Sequence, residues 1–127
     1  MEVTHKFFKC NLCGNLVVPV VDMGTQLVCC GQDMNRLEPN TTEASTEKHL
    51  PSVTASADSV SVQVGSAAHP MEDGHHIEFV YVKTEEGGQR KHLNIGEEPK
   101  CVFSFSDDKP IAVYAYCNLH GLWVTEV

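Results

Sequence analysis

Ser59-Val60-Ser61-Val62-Gln63-Val64 alternates polar and apolar residues without a break. Side chains along an extended strand point to opposite faces in turn, so Val60, Val62 and Val64 share one face and Ser59, Ser61 and Gln63 the other, the signature of a half-buried strand. Alternation returns at Cys101, Phe103 and Phe105, and after the Asp107-Asp108-Lys109-Pro110 turn a further strand runs from Ile111 to Tyr116. Turn signals at Ala57-Asp58, Glu86-Gly87-Gly88 and Gly96-Glu97 divide the region into about seven short strands. An all-β fold follows, with an antiparallel β-sandwich of the immunoglobulin type as its main body. Between 75 and 82, alternation places His75, Ile77, Phe79 and Tyr81 on one apolar face and His76, Glu78, Val80 and Val82 on the other, so His76 is expected in solvent. Cys101 reads as a small core residue.

The chain upstream has a different character. Over residues 1–37, short strands and turns surround Cys10-Asn11-Leu12-Cys13 and Cys29-Cys30-Gly31. Two cysteine pairs on facing turns can close a tetrahedron of thiolates around zinc or iron, and the spacing does not separate these metals; disulfides or buried free thiols are the alternative. Val17, Val18, Val20, Val21, Leu27 and Val28 are too few to hold such a unit together, so an ion would contribute folding energy. Cys29 and Cys30 are neighbours, and the backbone must twist for both to reach one ion. Glu38-Pro39-Asn40-Thr41-Thr42 reads as a linker in which Pro39 ends the preceding strand and Asn40 with Glu43 could cap one helical turn. A first unit over 1–37, a linker over 38–46 and a second unit over 47–127 are expected.

Near the end of the chain, Cys117-Asn118-Leu119-His120-Gly121-Leu122-Trp123 sets a thiol and an imidazole three positions apart on a turn, with a glycine that lets the backbone bend sharply. Cys117 and His120 make half of a metal site. His49, and His69 and His75 within His69-Pro70-Met71-Glu72-Asp73-Gly74-His75, are the candidates for the other half. His5 and His92 have no companion at ligand spacing and read as surface residues.

The 127 residues suffice for one ordinary domain, or a small domain with a stapled mini-domain. Nine Lys and Arg against 17 Asp and Glu give a net charge of −8, which argues against nucleic acid or an anionic membrane surface as partner. Six cysteines fall short of a disulfide scaffold, and the first residues lack the basic and apolar regions of a signal peptide, so a reducing cytoplasm is expected. The longest apolar run, from Leu16 to Val21, contains Pro19 and ends at Asp22, far short of the ~20 residues of a membrane span.

In order and spacing, Cys10-x-x-Cys13, Cys29-Cys30, Glu47-Lys48-His49, His69-Pro70-Met71 with His75, and Cys117-Asn118-Leu119-His120-Gly121 resemble the desulfoferrodoxins, the family of two-iron superoxide reductases. The resemblance implies a desulforedoxin-like first unit followed by an immunoglobulin-like sandwich, two irons per chain, a homodimer, and an external reductant such as rubredoxin. It implies that Cys10, Cys13, Cys29 and Cys30 hold one iron. His49, His69, His75 and His120 would be equatorial, and Cys117 axial, ligands of the catalytic one. Its activity would be one-electron reduction of superoxide to hydrogen peroxide in oxidative-stress defence. Lys48 would steer superoxide and stabilise the peroxide, and Glu47 would take the open position of ferric iron. The thiolate would donate electron density toward the metal. His76 and Phe79 stand where many relatives carry an aromatic and a tryptophan. Two other readings are an electron-transfer protein in which only the four-cysteine iron works, and a zinc-stapled interaction module; five ligands around one open position exceed what a staple needs.

Overall fold

A computed structural model describes residues 5–127; residues 1–4 of the expected first unit lie outside the described residues. Five two-residue strands build the first part: β1 (Phe8–Lys9), β2 (Leu16–Val17), β3 (Val28–Cys29), β4 (Gln32–Asp33) and β5 (Asn35–Arg36). They form a sheet in the order β2-β1-β5 and a separate β3-β4 hairpin. The single helical turn α1 (Thr46–His49) follows. Seven strands complete the chain: β6 (Pro51–Ala55), β7 (Ser59–Val64), β8 (Ile77–Thr84), β9 (Gly88–His92), β10 (Lys100–Ser104), β11 (Pro110–Cys117) and β12 (Gly121–Glu126). Two antiparallel sheets result, β10-β7-β6 facing β12-β11-β8-β9.

Between them lies the main core. Val60, Val62 and Val64 from β7 and Phe103 from β10 meet Val80 and Val82 from β8 and Val113, Ala115 and Cys117 from β11. A second core covers the outer face of the four-stranded sheet, where Phe79, Tyr114, Tyr116 and Leu122 pack against Phe7, with Leu16, Val18 and Leu37 at its margin. The first part of the chain thus borrows the sandwich for its hydrophobic burial. Little else shelters it: Val20, Val21, Met23 and Leu12 are exposed.

Three details depart from the sequence expectations. Strict alternation in β8 fails: Ile77 joins Val80 and Val82 in the inner core, whereas Phe79 and Tyr81 face outward onto the second core. The cause is a register shift against β11, where Tyr116 pairs with Phe79 but Cys117 pairs with Ile77, leaving Glu78 as an extra residue. Such a bulge turns the chain by one face, so the imidazole of His75 reaches the inner side together with Ile77.

Asn40 does not cap a helix. Its φ is 62°, its backbone N–H donates to Leu122 O (3.0 Å), and its side chain both accepts from Val124 N (2.8 Å) and donates to Val124 O (3.1 Å), clamping the linker to β12. The helical turn starts later, behind Ser45. His5, expected at the surface, is half-buried: its N–H donates to Tyr114 Oη at 2.7 Å, and its ring Nε2 meets Tyr81 Oη at 3.0 Å. Cys101 packs against the inner core as expected, and burial pushes its thiol up to about 11.

Candidate metal centres

Cys10, Cys13, Cys29 and Cys30 bring their sulfurs within 4.8 Å of one another. A tight turn after β1, closed by Gly14 N–H on Cys10 O (2.9 Å), presents the first pair. The β3-β4 turn presents the second, and there Cys30 takes φ 54° and Gly31 φ 73°. Left-handed backbone is the twist that adjacent cysteines need if both are to face one point. Sulfur separations of 3.6 Å for Cys13–Cys29 and 3.9 Å for Cys29–Cys30 are far beyond a disulfide bond, and all four are free thiols. Backbone N–H groups of Cys13 and Leu12 pull the Cys10 thiol down to about 6. Cys30 is pushed up to about 12 because its S–H donates to the sulfurs of Cys13, Cys10 and Cys29, which favours keeping the proton. Four crowded sulfurs cannot all ionise unaided, which is the electrostatic demand that a divalent or trivalent cation meets. Asn15, unremarked in the sequence, donates from its backbone to Cys13 Sγ (3.5 Å) and from its amide to Cys29 Sγ (3.8 Å).

Within the sandwich part, His49, His69, His75 and Cys117 place ligand atoms within 4.8 Å of one another. His120 stands beside them, its Nδ1 3.1 Å from His49 Nε2 and 3.9 Å from Cys117 Sγ. Each comes from a different device. α1 delivers His49, 3% exposed; its Nδ1–H donates to Ser45 O at 2.6 Å. The loop after β7 delivers His69, 2% exposed, whose Nδ1–H donates to Pro70 O at 2.7 Å. A miniature turn over 72–75, closed by paired backbone bonds between Glu72 and His75, delivers His75. The β11-β12 turn, with Gly121 at φ 78°, delivers Cys117 and His120.

The two carbonyls decide the tautomers. With Nδ1 protonated on both rings, His49 and His69 aim bare Nε2 lone pairs at each other across 3.1 Å. Burial holds both imidazoles below their ordinary pKa, His69 at about 4, so a proton does not bridge them at neutral pH. His75 Nε2 is buried with no hydrogen-bond partner among the described residues. Lone pairs that face each other, and one that faces nothing else, suit a cation. Burial raises the Cys117 thiol, while N–H groups of Leu119 and His120 act in the opposite direction. Neutral imidazoles with one thiolate form a borderline-soft donor set of the kind that holds iron.

Three residues that the sequence reading passed over orient this site. Asn118 accepts from His76 N (2.9 Å) and donates to Gly74 O (3.1 Å), tying the Cys117 turn to the His75 turn. Trp123 stacks on His49 at 5.0 Å and 27° and donates to His120 O at 3.1 Å. Gly65 touches α1 so closely that a Cβ there would lie 2.5 Å from Glu47 O. Trp123 sat in the motif itself, and its position opposite Leu122 and Val124 on β12 was the available signal. Glu47 and Lys48 are exposed on α1 beside buried His49. His76, expected in solvent, keeps only 15% of its side chain exposed; its Nδ1–H donates to Glu72 O at 3.0 Å, and Glu78 lies 3.7 Å from its Nε2. His92 is exposed on β9.

Comparison with known proteins agrees with this architecture. Residues 41–126 match the family model of desulfoferrodoxin, and residues 2–37 match that of the desulfoferrodoxin N-terminal domain. A desulfoferrodoxin homolog of Archaeoglobus fulgidus is 46% identical over 123 residues, covering 97% of this chain and 98% of that protein. The crystal structure of the superoxide reductase from Treponema pallidum superposes with a TM-score of 0.81 at 34% identity, over 97% of this chain and 99% of that one. The superoxide reductase (1Fe-SOR) from Giardia intestinalis matches 65% of this chain and all of its own, with TM-score 0.52 and 30% identity. With both its cysteine-bearing first part and its sandwich matched, the chain belongs to the desulfoferrodoxin family.

Proposed function

We propose that this protein is a superoxide reductase, taking superoxide, one electron and two protons to hydrogen peroxide. The observation that carries the reading is the convergence of His49, His69, His75, His120 and Cys117, with ring lone pairs turned inward and one buried thiol among them. These five residues would hold the catalytic iron, and Cys10, Cys13, Cys29 and Cys30 a second one. Bound there, iron would supply the electron that superoxide takes up.

The chain's own residues do the rest. Carbonyls of Ser45 and Pro70 fix the His49 and His69 tautomers, so that both rings offer Nε2. Hydrogen bonds from Asn118 and Trp123 hold the two turns that carry His75, Cys117 and His120. Lys48 steers the anion: screening dims the distant carboxylates beyond roughly 8 Å, which leaves the ammonium beside His49 to act in the final approach. Glu47, its neighbour on α1, serves as the acid that closes the site after turnover. Protons come from water.

The chain divides into 1–37, a linker over 38–46 and a catalytic unit over 47–127; the separate clusters of thiols and imidazoles support that division. It works as a homodimer in the cytoplasm, fed by rubredoxin or a similar reductant. Exposed Val20, Val21 and Met23 favour pairing, and six free thiols favour a reducing compartment. Rapid mixing of the reduced two-iron protein with superoxide tests the activity. Stoichiometric peroxide without dioxygen is expected, together with a thiolate-to-iron absorption band that disappears in Cys117→Ser. Peroxide accompanied by dioxygen would indicate dismutation, and no peroxide would leave an electron carrier.

A further inference from the structure

We infer that Lys9 and Tyr116 form an electronic bridge between the four-cysteine site and the imidazole site, an inference that rests on the two-iron reading above. Lys9 immediately precedes Cys10, and Tyr116 immediately precedes Cys117. Lys9 Nζ donates to Tyr116 Oη at 2.9 Å, with the ammonium 5.7 Å from the centre of the same ring. The path from the Cys10 sulfur through backbone and side chain to Lys9 Nζ is interrupted once, by this hydrogen bond. It resumes through the Tyr116 ring and backbone to the Cys117 sulfur. Electronic coupling decays steeply across van der Waals gaps and far less along covalent and hydrogen bonds.

The neighbouring aromatic stack offers a poorer crossing. Tyr116 lies parallel to Phe79 (12°, 5.7 Å), and Phe79 to Phe7 (24°, 6.4 Å), but every step there spans a gap between rings. Its service is to keep the seam dry, with Phe7 1%, Tyr116 5% and Phe79 8% exposed, which limits solvent reorganisation as charge moves. The Lys9 charge at the ring and on its oxygen disfavours removing an electron from Tyr116, so the ring couples the two ends without being oxidised itself. One electron leaves ferrous iron among the cysteines, which becomes ferric, and enters ferric iron among the imidazoles, which becomes ferrous. No bond or proton changes place.

The test uses the two-iron protein, partly reduced by a pulse of photoreduced flavin, without superoxide. In the wild type one iron's visible spectrum should fade as the other's changes, at a rate independent of protein concentration. Lys9→Met and Tyr116→Phe leave every thiol and imidazole donor in place. Each should slow this exchange several-fold with both iron spectra unchanged, and the double variant should be no slower than either single one. Exchange that is absent in the wild type, or unaltered in both variants, overturns the bridge. Because superoxide plays no part in the readout, failure of the reductase activity would appear separately, as missing peroxide.

Discussion

His49 and His69 are held neutral by the same burial that turns them toward each other, and this has a thermodynamic signature in the metal-free chain. Burial lowers His69 from 6.5 to about 4, and the Pro70 carbonyl, which favours the charged ring, offsets it only in part. A folded-state pKa below the unfolded one means that unfolding takes up a proton. The contribution is fully present above 6.5 and is lost as pH falls through the window down to about 4. The melting temperature of the metal-free protein should therefore drop across that window, and His69→Asn should make the drop shallower; equal slopes would remove His69 as a cause. At Lys48, one exposed charge is at stake rather than a fold. Lys48→Ile should slow the encounter with superoxide several-fold and flatten its dependence on salt while leaving stability near the wild type. A rate and salt slope that do not change would take the steering role from Lys48.

Among the elements, α1 and the β8 bulge show how the site is carried. Gly65 lies under α1, where a Cβ would stand 2.5 Å from Glu47 O, 2.8 Å from Leu50 O and 3.0 Å from Lys48 C, all backbone atoms that cannot swing aside. Gly65→Ala must shift α1, and His49 with it, at a cost of about 1–3 kcal/mol. Iron should be lost from the imidazole site, while the four-cysteine spectrum persists. Metal analysis with a visible spectrum decides this, and full retention of both irons would show that α1 is freer than its packing implies. The strands themselves were legible, because Val60, Val62, Val64 and Phe103 repeat with the period of a pleated chain. The bulge was not: Ile77-Glu78-Phe79 reads as unbroken alternation, and only pairing against Tyr116 and Cys117 reveals the extra residue. In the same way, ligand spacing pointed to the imidazoles that the fold gathers. The Asn118 and Trp123 contacts arise from chain segments that meet only in three dimensions. Asn40 illustrates a local signal that tertiary structure overrode, since its capping groups are spent on the Val124 backbone.

For the molecule as a whole, the distribution of apolar burial sets the response to losing its metals. The sandwich encloses an inner core running from Val53 to Cys117, which needs no ion to exclude water. Before the linker, by contrast, the buried hydrophobic residues among those described are Phe7, Cys10 and Met34, whereas Val20 and Met23 lie open to solvent. There the ion's contribution, on the order of 10 kcal/mol for a closed thiolate site at neutral pH, exceeds anything the side chains supply. Chelation should therefore unfold the first part while the sandwich keeps its strands. Phe7 must then leave its place against Tyr114, Phe79 and Tyr81, so the tyrosine near-ultraviolet signal should weaken as far-ultraviolet ellipticity is largely retained. Amide exchange would locate the change: protection lost at Phe8, Lys9 and Leu16 but kept at Val80, Val113 and Val62. Simultaneous loss in both parts would mean instead that the Phe7 seam couples them into one cooperative unit, with the outer aromatic face of the sandwich as dependent on the cysteine site as the cysteine site is on its metal.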